Sequence, residues 1–233
     1  MVGPIDYTAT GLGERAEARI ADFLRRVYGW MCVGLLVTAA VAYFTAATPP
    51  LVQLLAANRL VFWGIVIAEL GLVWYTTARI ESLAPAVAGG LFLLYSALNG
   101  LTLSFIVLAF TGATLASAFA ISAAMFAGMA VFGFVTRRSL DGLGQFAFMG
   151  LIGLIVAGVV NWFLKSAALD FVLSVVGVIV FAGLTAWDMQ RLKRMALVTE
   201  TGPMGSYAVV GALSLYLDFI NLFLSILRFT DRR

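Results

Sequence analysis

The chain has no histidine, a single cysteine (Cys32), and charge on only 12% of its 233 residues. Without histidine there can be no Ser-His-Asp or Cys-His triad and no HExxH zinc helix. One cysteine excludes a cysteine cage for zinc and an intramolecular disulfide. The shortage of charge is equally telling, because a soluble domain carries about 25% charged residues and is roughly half apolar. Here 62% of the residues are hydrophobic. The chain is too apolar to be held in water and too long to be one membrane anchor. Its net charge of +3 comes from scattered basic residues, a pattern that fits membrane topology and not nucleic-acid binding. A phosphate loop is missing as well: Lys165-Ser166 is preceded by Leu164 where glycine is needed. No EF-hand loop occurs, and no cofactor is expected.

What is present is a succession of long apolar runs. A spanning helix needs roughly 20 mostly apolar residues, because the hydrocarbon layer is about 30 Å thick and a helix rises about 1.5 Å per residue. Seven windows qualify, near 27–47, 59–78, 86–109, 114–135, 144–164, 169–188 and 206–228. Breaker or charge signals separate them: Thr48-Pro49-Pro50, Arg79 to Pro85, Thr111-Gly112, Thr136 to Gly142, Lys165-Ser166, and Met189 to Gly205. A barrel would instead show segments of about 10 residues alternating apolar and polar. The expected fold is an all-α integral membrane protein with seven spanning helices. The last window has no lysine, which excludes a retinal Schiff base. Small residues at Ala124 and Gly128, Gly153 and Ala157, and Gly177 are candidates for close helix packing.

Residues 1–26 are polar and do not form a signal peptide, whose apolar core is only about 7–15 residues long. Within them Ile20, Phe23 and Leu24 fall at helical spacing with Val27, which predicts a short amphipathic helix in the headgroup layer. The expected organisation is a cytosolic segment over 1–26, a spanning domain over 27–229 and a short tail over 230–233. With the N-terminus inside, ten Lys or Arg residues fall on the inner side and five on the outer. That excess predicts a cytoplasmic N-terminus in a multi-pass protein of a bacterial inner membrane.

Ionisable groups inside spans cost several kcal/mol at the bilayer centre, with estimates from about 2.5 upward, so they are the informative residues. Asp218 lies near the middle of the seventh window and shares a helical face with Ser214, Asn221 and Ser225. Such a stripe faces protein or water, either to bind helices together or to serve a function. Asp188 closes the sixth window just before Arg191, Lys193 and Arg194. It is either a boundary carboxylate paired with that basic run or a functional group at the depth of Arg79, which ends the second window on the same side. A second polar face carries Tyr95 or Ser96, Asn99 and Thr102. Glu69 sits in mid-membrane, and Arg228 near the outer end is placed either to attract Glu69 or to snorkel.

Two acids close together in a low dielectric cannot both ionise cheaply, so they tend to share one proton. Loss of that proton adds charge, which then seeks an arginine or a cation. A few oxygen ligands at Asp188 and Asp218 suit weak binding of Ca²⁺, a hard cation that takes 6–8 oxygens, and weak binding lets an ion leave again. A carboxylate dyad also invites comparison with presenilin-like intramembrane proteases. Their Gly-x-Gly-Asp and Pro-Ala-Leu elements are missing from Ser214-Leu-Tyr-Leu-Asp218 and from the sequence after it, so no enzymatic activity is expected.

Several longer stretches resemble the Bax inhibitor-1 family (transmembrane Bax inhibitor motif proteins), and its bacterial branch in particular. They are Ala78-Arg-Ile-Glu-Ser-Leu-Ala-Pro85, Leu91 through Ser104, Thr185-Ala-Trp-Asp-Met-Gln-Arg-Leu-Lys193 and Ala212 through Phe229, with Arg25-Arg-Val-Tyr-Gly29 leading into the first span. The resemblance implies a central seventh helix surrounded by six, and a pH-sensitive Ca²⁺ leak. It also implies that Asp188 and Asp218 form a proton-sensing pair, that Arg79 holds Asp188 when the path is closed, and that Glu69 and Arg228 form a charged pair. Two other roles fit the same resemblance: a regulator that modulates a membrane protease or stress-response complex through residues 1–26, and a proton/calcium exchanger. Animal members with a cell-death role end in a lysine-rich tail, whereas this sequence ends Thr230-Asp-Arg-Arg233, so partners reached through such a tail are not expected.

Overall fold

Unbroken apolar sequence leaves a backbone in lipid one economical solution, to satisfy its hydrogen bonds within a helix. A computed structural model describes residues 7–80, 82–198 and 204–230, and among these residues there are eight helices and no strand. They are α1 (Tyr7–Ala46), α2 (Pro49–Ala57), α3 (Arg59–Ala78), α4 (Pro85–Ala109), α5 (Gly112–Val135), α6 (Asp141–Leu164), α7 (Ala167–Val198) and α8 (Met204–Thr230). All but α2 are long and apolar enough to cross a membrane. The seven spans expected from the sequence are therefore present, and the regular structure among the described residues is all α-helical.

Helix ends follow local chemistry. Pro49 and Pro50 stop α1 but also start α2, because a proline at the first helical position gives up an N–H that has no helical partner anyway. Asn58 caps α3, its side chain accepting from the Leu60 and Val61 amides at 3.1 and 3.3 Å. Thr111 caps α5 by accepting from the Thr114 amide at 3.2 Å. Lys165 ends α6 in the left-handed conformation, at φ 50°.

Two elements run longer than the hydropathy windows. Helix α1 is continuous for 40 residues. The face of Ile20, Phe23, Leu24 and Val27, expected to lie in the headgroup layer, instead packs into the protein core, with Phe23 and Val27 fully buried. Helix α7 continues past Asp188 to Val198, so that carboxylate lies within the helix and not at its end. Hydropathy stops at the first cluster of charges, but Arg, Lys, Leu and Met are good helix formers and the helix does not stop there.

Helix α8 is the centre of the bundle. It packs against α1, α3, α4, α5 and α7, and 72% of its apolar window is buried, against 6% for α3 and 11% for α6. Tyr216, Leu215, Leu222 and Leu227 are almost completely enclosed. The peripheral helices turn large apolar side chains such as Trp63, Ile67, Trp74, Phe146 and Phe163 outward, as lipid-facing surfaces do. The central last helix matches the expected arrangement, with five spans packed against it and α6 packed on α7.

Small residues bring helices together, at Gly177 as singled out in the sequence and otherwise at different positions. Gly128 and Gly153 face open space, because both lie on the outward sides of α5 and α6. Gly133 on α5 instead lies directly against the backbone carbonyl of Ala186 on α7, where a Cβ would overlap it. Gly177 accommodates Ser225 of α8. Spacing alone does not say which glycine faces a neighbour. The consequence is testable: Gly133→Ala should destabilise the bundle by about 1–3 kcal/mol, the usual cost of overpacking. Gly128→Ala should change stability by no more than about 0.5 kcal/mol, as at other exposed positions. Denaturant unfolding in mixed micelles measures both, and equal effects would contradict the packing assigned here.

Candidate functional site

Two clusters of polar residues lie on different faces of α8. The first opens from the end of α3. A cavity of about 130 Å³ lies between α3, α7 and α8, and its wall includes Thr77, Asp188, Arg191, Tyr207 and Ser214. Gly211 is part of the same wall. Asp188 is 8% exposed and feels the nearby Arg191 charge electrostatically. One helical turn beyond Ser214, Asp218 is 5% exposed and lies close enough to Asp188 for their charges to interact. Its Oδ2 is buried without a hydrogen-bond partner among the described residues. A carboxylate oxygen in that position is costly to ionise, which makes Asp218 an unusual group to retain in a helix core.

The α7 backbone carrying Asp188 is held from the opposite side. Gln190 accepts from the Leu140 amide at 2.8 Å and donates to the Arg138 carbonyl at 2.9 Å. Arg194 forks onto both oxygens of Asp141 at 2.9 and 2.6 Å. The Trp187 indole donates to Asp141 at 3.2 Å, and Lys193 donates to the Phe134 carbonyl at 3.0 Å. Tyr28 on α1 donates to the Met189 sulfur at 3.4 Å. The Asp141–Arg194 pair is half exposed, so its electrostatic contribution is small. Its geometric effect is larger, since contacts from Trp187 to Arg194, about two turns of helix, fix the rotation of α7 and thereby aim Asp188 at the cavity.

The second cluster joins α3, α4, α8 and α1 near the middle of the bundle. The Thr102 hydroxyl lies 3.2 Å from Glu69 Oε1 and 2.9 Å from the Asn99 carbonyl. The Asn99 side chain lies near enough to Glu69 to act on its charge. Tyr216 donates to Asn99 Oδ1 at 3.2 Å and its hydroxyl is 2.6 Å from that of Thr38, which donates to the Ser96 carbonyl at 2.8 Å. The Tyr216 ring stands edge-on to Phe92 and Tyr95, with centroids 5.6 and 5.7 Å away. The polar face of α4 anticipated from Tyr95, Ser96, Asn99 and Thr102 thus becomes the link between the outermost helix and the innermost one.

The remaining candidates fall as follows. Ser214 lines the cavity, whereas Asn221 and Ser225 bond within their own helix, to the Leu217 and Asn221 carbonyls at 2.8 Å each. Arg79 is the residue just past α3, exposed, and makes no ion pair with Asp188 among the described residues. Arg191, one turn along α7, is the cation acting on Asp188 instead. Glu69 and Arg228 make no ion pair with each other: Glu69 faces α4, and Arg228 is exposed in the last turn of α8. Tyr216 and Thr38 were not singled out from the sequence, whereas Arg191 belongs to the basic run named there as a partner for Asp188. Tyr216 reads there as one more aromatic in an apolar helix, and Thr38 as an isolated small polar residue in a long apolar run. No group of three or more acidic, histidine or cysteine side chains converges among the described residues. The two aspartates and neighbouring hydroxyls therefore offer a cation a loose set of oxygens and no closed cage.

Comparison with known proteins gives a consistent result. Residues 20–233 match the family profile described as "Inhibitor of apoptosis-promoting Bax1". The chain is 47% identical over 221 residues to inner membrane protein YbhL of Escherichia coli K12, covering 93% of this chain and 94% of that one. A Deinococcus radiodurans protein is 43% identical over 216 residues, 92% of each chain. A Borreliella burgdorferi protein is 40% identical over 223 residues, 94% of this chain and 96% of its own.

The Tyr216 hydroxyl is the shared member of the second cluster. Tyr216→Phe keeps the ring stacked but leaves Asn99 Oδ1 without that donor. It should cost about 1–2 kcal/mol, the usual penalty for an orphaned buried acceptor. Unfolding in micelles reads the loss, and unchanged stability would show that the network carries no weight.

Proposed function

The chain belongs to the Bax inhibitor-1 family, and from that premise we propose that it is a pH-sensitive leak channel for calcium, gated by the buried Asp188–Asp218 pair and performing no chemical catalysis. Its setting is a bacterial inner membrane with the N-terminus in the cytoplasm, supported by the membrane assignment of the Escherichia coli relative and by the surplus of inner Lys and Arg. The observation that carries the reading is the location of the pair. Two carboxyl groups from adjacent helices are enclosed inside a lipid-embedded bundle, and one of them forms part of a polar cavity wall.

The mechanism follows from charge. With one proton held between them, the two acids present a single negative charge, and the nearby Arg191 offsets part of it. When that proton leaves, a second charge develops next to an oxygen that has no hydrogen-bond donor. Relief requires a positive charge or water to enter, and the cavity beside Asp188 and Ser214 is the nearest polar space. Helix α3 forms another wall of this cavity and is the least buried span. Small displacement of α3 therefore costs less packing than displacement of any other wall, and it would widen the cavity toward Glu69. Calcium passing along such a route meets isolated carboxylate and hydroxyl oxygens, which bind it weakly enough to release it.

The test is Ca²⁺ entry into dye-loaded vesicles containing the purified protein, recorded between about pH 6 and 8. A gate that turns on one shared proton changes flux by at most about tenfold per pH unit. Wild-type flux should vary with pH within that limit, and Asp218→Asn should flatten the dependence. Flux that ignores both pH and Asp218→Asn would overturn the proposal.

A further inference from the structure

Helix α5 packs on α7 and α8 but stands away from α1 and α4, and the separation leaves a groove of about 500 Å³. The groove lies in the half of the bundle opposite the Asp188 cavity, between the ends of α1 and α4 and the start of α5. We propose that it seats an acyl chain of a bilayer phospholipid, which reaches the central helix between α1 and α5.

Three observations carry this assignment. The groove floor belongs to α8: Phe219, Ile220 and Phe223 line it, although most of α8 is enclosed by the bundle. Its rim, by contrast, includes exposed Ala39, Tyr43 and Ala116 on the lipid-facing surface, so the groove is continuous with the interface between protein and hydrocarbon. Its lining is apolar except for Tyr43 at the rim and Thr38, whose hydroxyl is already engaged by Ser96 and Tyr216. Water entering would find no vacant partner, and apolar cavities of this kind stay dry. Leaving the space empty would forfeit dispersion contacts along the whole lining. Its volume falls in the range of ordinary small-ligand sites, roughly 300–1,000 Å³. The material in contact with the opening is lipid tail.

The position has a structural consequence. Phe219 follows Asp218 in sequence and meets Phe119 and Phe126 of α5 edge-on, with centroids 5.4 and 5.6 Å apart. A chain seated in the groove lies beside the aromatic contact by which α5 meets the central helix. The assignment does not depend on ion flux and stands or falls separately from the channel reading.

The experiment uses the full chain in phosphatidylethanolamine/phosphatidylglycerol vesicles doped with a phospholipid carrying a photoactivatable diazirine on its acyl chain. Adducts are then mapped by mass spectrometry. Labelling is expected on Phe219, Ile220 or Phe223, as well as on outward residues such as Phe146. Ala116→Trp and Ala39→Trp each narrow the mouth and should reduce the α8 adducts at least fivefold while leaving those at Phe146 unchanged. Wild-type labelling confined to outward residues overturns the proposal even if neither variant folds. So does α8 labelling that persists undiminished in a folded variant.

Discussion

A carboxyl group in hydrocarbon must be kept from lipid, and in this bundle that requirement decides which helix sits at the centre. Asp218 has a place on α8 only because α1, α3, α4, α5 and α7 pack against that helix. Asp188 has a place on α7 because its side faces the same interior. If α8 were exchanged for a peripheral helix, the stripe of Ser214, Asp218, Asn221 and Ser225 would meet acyl chains, at a cost of several kcal/mol for the acid alone. Apolar content drives the chain into the membrane, but the few polar groups determine how the helices are arranged within it.

The same constraint separates rigid from compliant parts. Helix α7 is fixed in rotation by Trp187, Gln190, Lys193 and Arg194, all bonded to the end of α5 or the turn into α6. Helix α3 is held chiefly along α4, and at mid-depth by Glu69 through Thr102 and Asn99. The acid pair therefore lies between a clamped helix and a lightly packed one. On the channel proposal, a change of charge there would act on the element with least packing to lose, as a gate requires.

Seven spans, their order and the two acids Asp188 and Asp218 that the bundle buries were legible in the sequence, because length of apolar run and the cost of an intramembrane acid are local properties. Partnerships were legible only as alternatives. Of the two offered for Asp188, Arg79 terminates α3 and turns to solvent, while Arg191 from the basic run supplies the nearby charge. Glu69 was matched with Arg228 and instead meets the α4 face. Rotation about each helix axis decides such pairings, and an apolar sequence with little amphipathic contrast leaves rotation undetermined. The short helix α2 was hidden for another reason: its two prolines read as a stop signal when they also form a start.

Most directly at stake is whether the two aspartates hold one proton between them. Infrared difference spectroscopy of the protein in bilayers, titrated from roughly pH 6 to 8, reads the protonated carboxyl band itself. The account predicts a titrating band that is lost or shifted in both Asp188→Asn and Asp218→Asn and retained in Glu69→Gln. A spectrum showing both aspartates fully ionised across that range, or a band indifferent to either substitution, would contradict it.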